Sequence, residues 1–163
     1  MIIINKSGYL RYKNLKFRCA IGKKGIKKKV KEGDNITPKG KYKIINFLYR
    51  ADKLKKVATV LKKVKIKKNM VWCDDVRSNF YNKLTYLPND DSHEKLFRND
   101  DIYDLILVLN YNSNPIIKGK GSAIFIHVAK KNFTSTRGCI GLQKKDLLNL
   151  LQNIKKNTPI KIG

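Results

Sequence analysis

One stretch near the C-terminus carries the good helical pattern of this chain, and that fact does most to limit the fold. In "KKDLLNLLQNI", Lys144 to Ile154, the residues Leu147, Leu148, Leu150, Leu151 and Ile154 fall on one side at helical spacing. Most other patterned segments alternate with a period of two. "IIIN", "YLRYKN" and "LKFRCAIG" are short β-type runs broken by the turn-prone "KSG" and "KN". "KYKIINFLYR" resumes the alternation, "YDLILVLNYN" (Tyr103 to Asn112) reads as a buried strand, and "AIFIHVA" (Ala123 to Ala129) as another. "TPIKIG" closes the chain as a short strand. A mainly β (α+β) fold with one C-terminal helix at about 144–154 follows, as a single domain over residues 1–163 with a real core.

Three segments are less regular. Gly22 to Tyr42 is rich in glycine and lysine and reads as a long surface loop or ribbon. Lys53 to Lys68 alternates lysines with Val, Leu and Ile, which favours strands but leaves a helix open. Trp72 to Asp101 is polar and aromatic. A segment that long with weak periodicity is expected to be an ordered excursion shaping a cleft.

Charge separates function classes only weakly. With 37 basic and 12 acidic residues the net charge is +25. Such an excess attracts polyanions. It is mostly lysine and spread along the whole chain, which favours the reading of solvated lysine on every face, with weak polyanion affinity as a by-product. No apolar run approaches the ~18 residues of a membrane-spanning helix, and no export signal is readable in "MIIINKSGYLRYKN". Three cysteines argue against a disulfide framework and leave at least one thiol unpaired, and a monomer is expected. No CxxC or HxxxH pair suggests a metal site, and no GxxxxGK[ST] suggests a phosphate loop.

The chemistry candidates lie in "IHVAKKNFTSTRGCIGL". A cysteine is a useful nucleophile only as thiolate and so needs a base or a positive field. Cys139 sits between Gly138 and Gly141, where the backbone can turn tightly and the amides of Gly138 and Cys139 can converge on a tetrahedral oxyanion. A buried structural cysteine is the competing reading. Twelve residues upstream, alternation places Ile124, Ile126 and Val128 on one face and Phe125, His127 and Ala129 on the other. An imidazole so placed can take a thiol proton near neutral pH, provided the loop returns the cysteine to it.

These residues resemble the signature of the L,D-transpeptidase catalytic domain (YkuD-like), a strand histidine followed after a loop by Ser/Thr-x-Gly-Cys. "EGDNITPKGKY", "WCDD", "YN", "SHEKLFR", "YDLILVLNYN" and "GKGSAIFIHVA" resemble, in order, a short single-domain branch of that family, over roughly residues 22–151. The resemblance implies a β-sandwich-like fold and a cysteine acyltransferase acting on peptidoglycan stem peptides, without metal or organic cofactor. It implies Cys139 as nucleophile, His127 as general base and Gly138 at the oxyanion site. Ser135 and Thr136 fall near the position whose backbone or hydroxyl orients the imidazole.

Two departures stand out. Arg137 occupies the place of a common second histidine, and Gly141 that of a common arginine. Arg137 is then a candidate for favouring the thiolate or holding a substrate carboxylate, against a plain solvated arginine. His93, Tyr103 and Trp72 are candidates for the cleft wall, with loop organisation or core packing as the alternatives. The family's chemistry implies the periplasm or cell envelope. A carboxypeptidase on the same fold, or a non-catalytic basic module that binds a polyanion, are the competing functions.

Overall fold

The alternating runs form strands, and their pairing closes most of them into a ring around one core. The computed structural model describes residues 1–163. Strands β1 (Ile2–Ile4), β2 (Tyr9–Tyr12) and β3 (Leu15–Ala20) are an antiparallel meander. Strands β4 (Ile26–Lys27) and β5 (Thr37–Pro38) form a short parallel pair, followed by the long β6 (Gly40–Tyr49) and by β7 (Lys63–Lys65). A separate sheet holds β8 (Met70–Cys73), β9 (Leu84–Tyr86) and β10 (His93–Lys95). The chain ends with β11 (Leu105–Leu109), β12 (Phe125–Val128), β13 (Ile140–Leu142), helix α1 (Lys144–Asn153) and β14 (Pro159–Ile162).

The large sheet runs β11-β12-β13-β3-β2-β1-β14-β6-β7, and β11 also pairs with β6, so all but β7 close on themselves. Period-two alternation then gives this ring an inside and an outside. Inside lie Ile2, Ile4, Leu10, Phe17, Leu107, Ile126 and Leu142 with their neighbours, a core of 23 buried residues. Helix α1 completes that core with Leu147, Leu150, Leu151 and the following Ile154, while Leu148 is half-buried. Each such fully buried aliphatic side chain contributes about 1.5–3 kcal/mol. Lys144 Nζ reaches Asp104 Oδ2 at 2.7 Å and ties the start of the helix to the start of β11.

On the outside, the small sheet covers the ring where β6, β11 and β12 meet. Trp72, Leu96, Tyr103, Ile106, Val108 and Phe125 form this second core, with Cys139 at its margin. The predicted excursion is therefore ordered. Trp72, however, lies on β8, whose four residues are all buried.

Two expectations change. Gly22 to Tyr42 is not a surface ribbon: Ile26, Lys29, Asp34, Ile36 and Thr37 are buried. The Asp34 carboxylate accepts from Lys29 Nζ at 2.5 Å and from the amides of Val30, Lys31 and Ile36 at 2.9, 3.2 and 3.0 Å, folding the segment around one anion. Burial works against that carboxylate's charge, but the Lys29 and amide hydrogen bonds prevail and hold its pKa at about 2. Of Lys53 to Lys68 only Lys63–Lys65 is strand. Val57 is buried in the main core, and Leu54 and Leu61 pack against it from irregular backbone.

Candidate active site

Parallel strands β12 and β13 place the two chemistry-bearing residues on one face. Ile126 pairs with Ile140 and His127 with Gly141. Cys139, one residue before Ile140, therefore points to the side of Phe125 and His127, away from the ring's interior. The Phe125 amide donates to Cys139 Sγ at 3.4 Å, and the thiol donates to the Ala123 carbonyl at 3.0 Å. His127 is 6% exposed, its Nδ1 lies 2.8 Å from the Val128 carbonyl, and the Tyr103 ring meets it edge-on at 5.5 Å. A carbonyl can only accept, so Nδ1 carries the ring proton.

Burial dominates both titrations. It pushes the Cys139 thiol up to about 12, with Glu94 acting the same way and the Phe125 amide and Lys29 opposing. It pulls His127 down to about 4 against the Val128 hydrogen bond, and the cations of Arg98 and Lys130 add to the shift. At neutral pH the pair is a neutral thiol and a neutral imidazole.

The segment Gly22–Pro38 holds the Gly-Cys turn from below. Thr37 Oγ1 donates to the Gly138 carbonyl at 2.8 Å and accepts from the Gly22 amide at 2.7 Å. Thr136 exchanges backbone hydrogen bonds with Ile21 and Lys23. Gly138 has φ +142°, and a Cβ there would lie 2.8 Å from the Ile36 carbonyl oxygen, so only glycine fits. Its amide donates to Thr136 Oγ1 at 3.1 Å, and that hydroxyl donates to the Cys139 carbonyl at 2.6 Å. The Cys139 amide is engaged by no backbone or side-chain acceptor.

The chain as a whole matches the YkuD family, described as L,D-transpeptidase catalytic domain, over residues 1–162. It belongs to that family. Membership extends beyond residues 22–151 to include the meander β1–β3 and the closing strand β14. Among solved structures, the chain is similar to that of Bdellovibrio bacteriovorus Bd1075, with a TM-score of 0.54 and 17% identity; the match covers 100% of this chain and 47% of that one. The likeness supports the fold, and this chain spans about half the length of that neighbour. A search of curated proteins gave no match.

In this L,D-transpeptidase-family chain the departure at Gly141 has a packing cause. A Cβ there would lie 3.0 Å from Ala129 Cα and 3.2 Å from Ala129 Cβ, so a side chain requires Ala129, just after β12, to shift by a few tenths of an ångström. Arg137 is exposed and makes no hydrogen bond or ion pair. Ser135 is exposed likewise, and Thr136 braces the Gly-Cys turn; the imidazole's hydrogen-bond partner is Val128. Trp72 packs edge-on against Phe125 at 5.2 Å and donates Nε1 to Asn82 Oδ1 at 3.0 Å, a wall of the second core.

His93 is not brought to the cysteine. It pairs with Cys73 across β10 and β8, while its neighbour Glu94 pairs with Trp72, so alternation turns Glu94 toward the site and His93 away. His93 Nδ1 lies 2.6 Å from the Asp91 carbonyl, the loop-organising alternative. Glu94 was missed in the sequence, although "SHEKLFR" contains it. Arg98, whose guanidinium stands 3.9 Å from Glu94, 2.6 Å from Asp100 and 5.4 Å from the Tyr103 ring, was missed with it. The only available signal was alternation from Trp72, and the register that transmits it is set by the small sheet.

Proposed function

We propose that residues 1–163 act as one catalytic domain, a cysteine L,D-transpeptidase working on peptidoglycan stem peptides through a Cys139 acyl-enzyme. The observation that carries the reading is the common face of Cys139 and His127 on adjacent parallel strands, with Nδ1 of the imidazole held by Val128. With Nδ1 protonated, Nε2 is the base. As Sγ bonds to the carbonyl carbon of the L-centre diamino acid, the thiol proton passes to Nε2, so no free thiolate is required beforehand. The tetrahedral oxyanion lies against the uncommitted Cys139 amide; the Gly138 amide is already given to Thr136. Collapse breaks the C–N bond, and His127 returns the proton to the departing D-alanine amine. An amine of a second stem peptide then resolves the acyl-enzyme, or water does so in a carboxypeptidase variant. Glu94 and Arg98, at the edge of the site, are placed to meet charged groups of the peptide.

The test offers a purified tetrapeptide and follows D-alanine release and the Cys139 adduct by mass spectrometry. Release and adduct are expected from the native chain and neither from Cys139→Ala; turnover that survives that substitution sinks the mechanism.

A second property has its own support. Across β3, β2, β1, β14 and β6 the register aligns Lys16, Arg11, Ile3, Lys161 and Lys41 in one exposed row, on strands that contain no carboxylate. This row favours affinity for an anionic polymer as an accessory to catalysis.

A further inference from the structure

Asn82, in the "YN" pair that the catalytic reading leaves unused, has every side-chain hydrogen-bonding group occupied. Its Oδ1 accepts from Trp72 Nε1 at 3.0 Å and from the Ala123 amide at 3.0 Å. Its Nδ2 donates to the carbonyls of Tyr111 and Asn112 at 3.1 and 2.7 Å. The residue is buried. Its partner Ala123 has φ +50°, a left-handed conformation that an alanine adopts at a cost and abandons when nothing holds it. The carbonyl of that same Ala123 is the acceptor of the Cys139 thiol.

We propose that Asn82 is a positioning residue, which holds Ala123 in its left-handed conformation and so aims the carbonyl that latches the Cys139 thiol at rest. The proposal rests on reading Cys139 as the nucleophile. The latch directs the S–H of Cys139 at a backbone oxygen rather than at His127, and it opens when Ala123 relaxes to negative φ and its carbonyl swings away. Two opposed devices meet at one residue: the strain in Ala123 favours release, and the Asn82 side chain opposes it. Asn82 also joins the excursion to the catalytic strand, since Trp72 and Ala123 share its one oxygen. A peptide that displaces Trp72 or the 111–112 backbone thereby loosens the thiol.

The experiment measures iodoacetamide alkylation of each cysteine separately by peptide mapping, with no substrate present. Cys19 and Cys73 are buried and serve as internal reporters of unfolding. Asn82→Ala is expected to raise Cys139 alkylation at pH 7 roughly tenfold, the scale of the strain it releases, while Cys19 and Cys73 stay silent. Glycine accepts left-handed φ freely, so Ala123→Gly alone is expected to slow Cys139 alkylation, and Asn82→Ala/Ala123→Gly to bring the rate back toward the native one. An unchanged Cys139 rate in a folded Asn82→Ala protein overturns the latch, as does a simultaneous rise at all three cysteines. Should Asn82→Ala fail to fold, the single Ala123→Gly variant decides, and an unchanged or faster rate there overturns it. Failure of the catalytic reading appears in the Cys139→Ala assay, which the alkylation map does not touch.

Discussion

At the scale of single residues the site is defined by how little charge it keeps. Phe125 and Tyr103 crowd the imidazole and thiol, and burial drives the two pKa values apart, to about 4 for His127 and about 12 for Cys139. The histidine's shift has a consequence for stability. Its folded pKa lies below the ordinary 6.5, so as pH falls the unfolded chain takes up this proton first. The stability it contributes is complete above pH 6.5 and is lost as pH falls through 4, about 3 kcal/mol in all. Thermal midpoints measured between pH 7 and pH 4.5 should fall with pH in the native protein and stay flatter in His127→Gln. Asp34 titrates lower, at about 2, and does not confuse that window. The facing of His127 was legible from alternation alone, because Ile124, Ile126 and Val128 had to share the other side. Its hydrogen-bond partner was not, since a backbone carbonyl leaves no mark on the sequence.

At the scale of elements, the Gly22–Pro38 segment turns a poor sequence signal into a firm support. Its glycines and lysines read as a solvated loop, and "EGDNITPKGKY" was visible as a motif without a physical role. Asp34 supplies the role: one carboxylate gathers an ammonium and three amides, which sets Ile36 and Thr37 under Gly138. The Lys29 ammonium is buried with it. Removing one partner of such a pair is far more damaging than removing both. Asp34→Ala should cost about 3–5 kcal/mol in urea unfolding, and Lys29→Met/Asp34→Ala should recover part of the loss. Equal instability of the single and double variants would contradict the pairing as the cause. The misreading of Lys53 to Lys68 has the opposite origin. Its Val and Ile residues carry strand propensity, but Val57, Leu54 and Leu61 reach the core one at a time from irregular backbone, and propensity yields to that geometry.

At the scale of the whole molecule, charge is segregated in a way that net charge conceals. Every Asp and Glu lies between Glu32 and Asp104 except Asp146, and the small sheet with its loops carries Asp74, Asp75, Asp90, Asp91 and Glu94. The charged residues on the strands at the far side of the ring are lysine and arginine alone. Lysine is spread along the whole chain, whereas the carboxylates are not, and ring closure gathers β1, β2, β3 and β14, which contain none, together. Binding of a fluorescent single-stranded oligonucleotide should weaken linearly in log–log salt titration. Changing Arg11, Lys16, Lys41 and Lys161 together to glutamate should lower both the affinity and that slope, and leave D-alanine release from a free tetrapeptide unaltered. A variant that binds as the native protein does would show the attraction to be diffuse.

Under the proposed role of Cys139 as nucleophile, the hydrogen bond from its thiol to the Ala123 carbonyl bears on chemical survival as well. Peroxide attacks thiolates, and the ladder from sulfenic to sulfonic acid begins only where a thiolate is exposed. A thiol pushed up to about 12, which keeps its proton and donates it in a hydrogen bond to the Ala123 carbonyl, offers an oxidant little thiolate to attack at rest. Oxidative inactivation would then follow the time spent working rather than the time spent waiting, and an idle population of this protein would outlast a busy one.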